Sequence, residues 1–233
     1  MAAGIRARAA AALDRPVWSA LATQHARFAV GGERARRFAP DIGPLAASRD
    51  DDPDSLAALA ALADAGPLVL LQADPIRLPP AVVATSTAAG VQLVLAELVD
   101  VAPDPRIVAL GADAAPAMLA LATLTRPGPF AARTHELGAF YGVVDGGALV
   151  AMAGVRLAQP GFVEISGVCT HPDARGRGYA RSLSAHVARG VRARGATPYL
   201  HAYATNTAAI ALYESLGFRI RCAMHVATVA RAG

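Results

Sequence analysis

The sequence predicts an α/β fold built on a mixed sheet, and the C-terminal half states it most clearly. Between Pro105 and Gly233, short apolar runs of strand length alternate with stretches of helical periodicity. A glycine-rich loop, Arg175-Gly176-Arg177-Gly178, stands between one such strand and one such helix. Hydrophobic residues make up 54% of the 233, largely through alanine, yet no apolar run reaches the length of a membrane span.

Taken in order, the first residues (Met1 to Leu13) read as an alanine-rich helix or a frayed end. They carry arginines but lack the apolar core of a secretory signal. Arg34 to Pro44 reads as a strand broken by prolines. Asp50, Asp51, Asp52 and Asp54 form an acidic start to a helix over Leu56 to Ala63, where negative charge complements the helix dipole. Pro67 to Gln72 and Val91 to Val99 read as strands, with an irregular, proline-rich connection at Pro75 to Pro80.

The second half is easier to read. Arg106 to Leu110 is a short strand, followed by a helix from Asp113 or Ala114 to about Leu124 that Arg126-Pro127-Gly128-Pro129 terminates. Leu137 to Val144 and Ala148 to Leu157 are apolar strands joined by the hairpin signal Asp145-Gly146-Gly147. Phe162 to Thr170 leads into the glycine loop, and a helix runs from Gly178 to about Arg194. A strand over Thr197 to Ala204 precedes a helix capped by Asn206 and ended by Gly217. Two last strands, Phe218 to Cys222 and Met224 to Val229, complete the order. This organisation predicts an N-terminal α/β domain over 1–104 and a second domain over 105–233, which as a fragment should carry the cofactor site.

The chemistry-bearing segment is Val168 to Ala180. Gly176 and Gly178 let the backbone approach a ligand closely, and the following helix start adds unpaired N–H donors and a positive dipole end. A diphosphate suits such a loop. The spacing is neither a Walker loop, since no G-K-[ST] follows, nor a dinucleotide fingerprint, since G-x-G-x-x-G is absent. Arg175, Gly178 and Ala180 instead form R-x-x-G-x-A. Asn206, Ala209, Leu212, Tyr213, Glu214, Gly217 and Phe218 form N-x-x-A-x-x-L-Y-E-x-x-G-F downstream. The two signatures, in this order, resemble those of the GNAT superfamily of N-acetyltransferases.

The resemblance covers roughly Pro105 to Gly233 and implies a GNAT acyl-coenzyme A N-acyltransferase fold there. Residues 1–104 would then be an accessory α/β half, by length and element order a degenerate copy of the same fold. It implies acetyl-CoA as co-substrate, held by Val168, Cys169, Thr170, Arg175, Gly176, Arg177, Gly178, Tyr179, Ala180 and Asn206. It implies acetyl transfer to a primary amine by direct attack in a ternary complex. Glu164, 11 residues before Arg175, resembles the family's strand glutamate and is the candidate base; a substrate-orienting role is the alternative. Tyr213 is the candidate acid for the departing thiolate, with a packed core tyrosine as the alternative. Thr134, His135, Glu136, Phe140 and Tyr141 are acceptor-side candidates.

Composition narrows the rest. The formal net charge is +4, supplied by arginine, and Arg175, Arg177 and Arg181 cluster at the loop, which a polyphosphate explains without nucleic acid. Cys169 and Cys222 give no disulfide framework, and the six histidines show no metal-ligand spacing. The reading is a cytoplasmic acyltransferase without metal, nucleic-acid or membrane partner. Its acceptor is a small-molecule or peptide amine, and a homodimer stays open. A non-catalytic acyl-CoA sensor or interaction module is the competing class.

Overall fold

The computed structural model describes residues 11–232, so most of the helix or frayed end expected over Met1 to Leu13 lies outside it. An eight-stranded mixed sheet runs through the molecule in the order β4-β11-β5-β10-β9-β8-β7-β6. These strands are β4 (Leu68–Gln72), β5 (Val82–Leu95), β6 (Ile107–Leu110), β7 (Phe140–Asp145), β8 (Ala148–Gln159), β9 (Phe162–Thr170), β10 (Thr197–Tyr203) and β11 (Phe218–Arg231). Every neighbouring pair is antiparallel except β9 and β10. A small antiparallel sheet of β1 (Ala29–Gly31), β2 (Ala35–Phe38) and β3 (Ala46–Ser48) adjoins it.

Two layers of helix cover the large sheet. On one face lie α4 (Tyr179–Ala193) and α5 (Thr207–Ser215), packed on Val155, Ile165, Leu93 and Leu200. The apolar stripe of α4, Leu183, Val187 and Val191, recurs at helical spacing and is fully buried. On the other face, α1 (Pro16–Ala22) buries Val17 and Leu21 against Leu157, Tyr199 and Met224. There too, α3 (Ala115–Thr125) buries Met118 and Leu121 against Phe140, Met152 and Cys169. The remaining helix, α2 (Pro53–Leu62), packs on the small sheet. No helix among the described residues is long and apolar enough to cross a membrane.

Local chemistry accounts for most boundaries. The hairpin between β7 and β8 uses Gly146 and Gly147 at φ 57° and 81°, the pair of left-handed conformations a two-residue turn requires. Asn206 caps α5 by accepting from the Ala209 N–H at 3.1 Å, and Gly217, at φ 97°, ends it. A Cβ on Gly217 would lie 1.7 Å from the Glu97 carbonyl oxygen. Phe162–Thr170 forms over the expected bounds.

Two expectations need correction. The last two strands are one strand, β11. A register shift between Ile220 and Cys222 absorbs Arg221 as a bulge, so pairing with β5 continues past it. The N-terminal strand expected at Val91 to Val99 is β5, which begins nine residues earlier. Its first part, Val83 to Ala89, is exposed and rich in small and hydroxyl side chains, so it lacks an apolar alternation and is held by its pairing with β11. The division at residue 104 therefore cuts through a sheet: β5 is wedged between β10 and β11, and β4 caps the outer edge of β11.

This topology makes a prediction. A fragment of residues 105–233 loses β5, leaving facing edges of β10 and β11 unpaired and Leu93 and Leu95 missing from the core. We expect it to be aggregated or without a cooperative thermal transition, whereas the full chain melts cooperatively. A cooperative melt of the fragment would contradict the wedge's importance.

Candidate active site

A cavity of about 590 Å³ opens where two strands part. β9 and β10 pair through Phe162 with Thr197, Val163 with Pro198 and Glu164 with Tyr199, and no pairing continues beyond. On the other side of β9, the register with β8 shifts between Ser166 and Cys169. Gly167 takes φ 64° in that bulge, where a Cβ would press on Phe140 at 3.0 Å. The parting leaves one edge of β9 from Ser166 onward facing the cavity, with unpaired backbone groups.

One end of the cavity carries the expected cofactor residues. Val168, Cys169, Thr170, Arg175, Ala180 and Asn206 line it. Gly176 and Gly178 both adopt φ 78°, with open space where a Cβ would stand. The first backbone bond of α4 after the loop runs from the Ser182 N–H to the Gly178 carbonyl at 3.1 Å. The N–H groups of Tyr179, Ala180 and Arg181 thus remain for an anion, at the positive end of a 15-residue helix. Arg177 and Tyr179 contribute differently from Arg175. The Arg177 guanidinium pairs with Asp145 at 3.0 Å, and the buried Tyr179 ring sits 4.8 Å beneath the Arg106 guanidinium. Their side chains brace the loop.

Tyr213 is the buried residue of α5, packed in the core with Leu216 and Phe218, and it also lines the same cavity. Burial, with a contribution from neighbouring Cys169, pushes its phenol up to about 12. The ring packs edge-on against Phe218. The group is therefore a neutral donor at physiological pH. Burial also pushes the Cys169 thiol up to about 11, which leaves no thiolate to act as a nucleophile.

Glu164, expected as the base, sits differently. It is 1% exposed and all its lone pairs are engaged. Arg156 grips it with Nη2 to Oε1 at 2.7 Å and Nε to Oε2 at 2.9 Å; the Leu157 N–H reaches Oε2 at 3.3 Å and His201 Nδ1 reaches Oε1 at 2.7 Å. Burial alone would raise its pKa, but the Arg156 charge and the bonds from His201 and Arg156 outweigh burial and hold it down to about 2. The correction has a physical cause: strand alternation and the β8 bulge aim Glu164 at Arg156 rather than at the cavity. A carboxylate so fixed is a counter-ion, not a proton acceptor.

The network continues across two more strands, β5 and β11. Arg221 donates to Gln92 Oε1 at 2.9 Å, which turns the Gln92 amide nitrogen toward His201 Nε2 at 3.0 Å and the Leu13 carbonyl at 2.9 Å. His201 Nε2 is then the acceptor and Nδ1–H the donor to Glu164. Arg221 also pairs with Asp14.

The acceptor end differs from expectation. Thr134 is buried and donates to the Ile42 carbonyl, Glu136 is held by Arg133, Phe140 packs against Phe130, and Tyr141 meets His186 edge-on. None of these, nor His135, lines the cavity. That wall is built instead from Arg126 to Pro129, Arg156, His201 and Tyr203, with an aliphatic patch of Leu45, Val69, Leu71, Met224 and Val226. Three of those aliphatic residues come from the first 104. Among the described residues, no group of three histidine, cysteine or carboxylate side chains could hold a metal ion.

Comparison with known proteins agrees with this geometry. The family model for FR47-like proteins matches residues 140–226, which span the parting strands and both motifs. A solved structure of a GNAT-family protein from Novosphingobium aromaticivorans is 42% identical. It covers 95% of this chain and 99% of its own, with a TM-score of 0.87. GCN5-related N-acetyltransferase structures share the fold at lower identity. The one from Kribbella flavida is 17% identical, covers 95% of this chain and 96% of its own, and has a TM-score of 0.63. An N-acetyltransferase-like protein from Streptococcus suis is 16% identical, covers 97% and 98%, and has a TM-score of 0.55. No curated protein matches the sequence.

The Glu164 cluster predicts a pH dependence. An unfolded glutamate titrates near about 4.3. The folded value lies below it, so the ion pair stabilises the fold above that pH and ceases to do so as pH falls toward 2. Glu164→Gln leaves Arg156 buried without its counter-charge. It should cost about 3 kcal/mol or more at pH 7 and flatten the acid limb of the stability curve, read by urea denaturation between pH 7 and 3. An acid limb as steep as the wild type's would contradict this role.

Proposed function

This chain belongs to the GNAT family, an acyltransferase family, and on that premise we propose that it transfers an acetyl group from acetyl-coenzyme A to an amine within a ternary complex. The observation that carries this reading is the convergence on one cavity of a left-handed glycine loop at a helix start, an unpaired strand edge and a neutral phenol.

Each part has a task. The pyrophosphate of acetyl-CoA would take the N–H groups of the loop and of Tyr179 to Arg181, with Arg175 beside it. The pantetheine amides would pair with the free edge at Val168 to Thr170, as an added strand does. The thioester oxygen would accept from a backbone N–H at Val168 or Cys169, which stabilises the charge that develops there. The amine lone pair attacks the thioester carbon, the C–N bond forms, and the C–S bond breaks as the intermediate collapses. Tyr213 gives its proton to the departing sulfur. The proton that the amine nitrogen loses passes through water and restores the phenol.

No carboxylate lines the cavity among the described residues, so the proton acceptor for the amine is water rather than Glu164. Arginines around the acceptor end favour the neutral amine, the form that can attack. The protonated Cys169 thiol supports direct transfer over an acyl-enzyme.

Two variants test the reading. Tyr213→Phe keeps the packing and removes the donor, so kcat should fall by roughly 10²-fold while the KM for acetyl-CoA stays within a few-fold. An unchanged kcat under conditions where chemistry limits the rate would leave Tyr213 as packing only. Gly178→Glu puts a strained residue and a negative charge at the proposed phosphate site, and calorimetry should show acetyl-CoA binding weakened at least about tenfold. Unaltered affinity in the folded variant would remove the loop from the cofactor site.

A further inference from the structure

The acceptor end of the cavity offers hydrogen-bond donors and apolar surface, and no anion. Arg156 spends Nε and Nη2 on Glu164, while its Nη1 points toward the loop at Gly128, lying 4.0 Å from where a Cβ on that residue would stand. Gly128 has φ 130°, so its backbone disfavours a side chain beside Arg156. Arg126 stands on the same loop and lines the cavity. Its guanidinium makes no hydrogen bond or ion pair with any described residue. Its backbone is held at φ 50° and ψ 57°, and it is the one non-glycine residue with positive φ among the described residues. Pro127 prevents α3 from continuing through it, and glycine or asparagine would fit that conformation with less strain. Arg126 is exposed, so its left-handed backbone, the C-cap of α3, holds a solvated cation at the rim of the cavity, where a ligand can meet it.

The outer mouth repeats the pattern. Arg126 and Tyr203 rim it with Ser86, Thr87 and Thr228, again without a carboxylate among the described residues. A polyamine or a lysine side chain would find no carboxylate on this wall, only Arg126 and the Arg156 that Glu164 already pairs. The aliphatic patch of Leu45, Val69, Leu71, Met224 and Val226 faces the same space. We infer that the acceptor is an amine carrying a carboxylate on an apolar body, with Arg126 and Arg156 Nη1 binding the carboxylate and the aliphatic patch taking the body. This rests on the acetyltransferase reading of the same cavity and names its substrate class. The buried Glu164 pair then acts as a positioning device: it fixes two arms of Arg156 so that the third faces the ligand.

The test separates the two readings. With CoA present, calorimetry compares N-acetyl-leucine with N-acetyl-leucinamide, which differ only in the carboxylate. With acetyl-CoA saturating, thiol release compares leucine, leucinamide and spermidine. We expect the carboxylate compound to bind, and leucine to react, on the order of 10- to 100-fold better than its amide. Arg126→Gln should raise the KM for leucine and bring both ratios toward one. Equal binding of the two N-acetyl compounds, no binding of either, or spermidine or leucinamide as the best acceptor would overturn the inference. Rapid thiol release with spermidine would overturn it while leaving acetyl transfer intact. Selective, Arg126-dependent binding without thiol release from any amine would support the carboxylate site and overturn the catalytic reading.

Discussion

The structure depends on the parting of β9 from β10. The two strands pair over three residues and separate beyond Glu164 and Tyr199. The groups assigned roles in the proposed function lie in or beside the resulting gap: the free backbone edge of β9, the loop that follows it, and the Tyr213 phenol opposite. A sheet does not open without something to hold it open. Here the bulge at Gly167 turns β9, and the Arg156–Glu164–His201 cluster pins β8, β9 and β10 together at the fork. Burying these charges is costly unless they are paired and fully hydrogen-bonded, and every oxygen lone pair of Glu164 is engaged. The cluster therefore fixes geometry more than it adds stability.

The same logic extends across the sheet. β5 fills the space between β10 and β11, and Gln92 on β5 relays the network from His201 to Arg221 on β11. The first 104 residues thus support the cavity in two ways: they close the sheet with β5 and β4, and they supply aliphatic wall through Leu45, Val69 and Leu71. A mixed sheet that needs a strand from the other half of the chain has a high share of long-range contacts, and it should fold more slowly than its size alone would suggest.

The fold class was legible because strand, glycine loop and helix follow one another between Phe162 and Ala193 with clear periodicity. The left-handed turn at Gly176 and Gly178 was legible for the same reason, since it is a local feature whose backbone conformation follows from glycine's chemistry. The first part of β5 was not legible, because Val83 to Ala89 faces solvent and its pairing partner lies some 140 residues away in sequence. Glu164 was found as a residue, yet its role depends on Arg156 and His201, which the topology brings from neighbouring strands. Arg126 and Gly128 read as a helix terminator, which they are; their second role appears only when the loop is seen over the cavity. Sequence spacing conveys local backbone chemistry well and the partners of a buried charge poorly.

The most direct test of the central claim is a crystal structure of the full chain with acetyl-CoA bound. The account predicts pantetheine amides hydrogen-bonded to β9 between Val168 and Thr170, inside the gap. It also predicts the pyrophosphate on the N–H groups of the Gly176–Ala180 loop and the sulfur within hydrogen-bonding reach of the Tyr213 hydroxyl. A cofactor bound outside the gap, or a Tyr213 hydroxyl turned away from the sulfur, would contradict it.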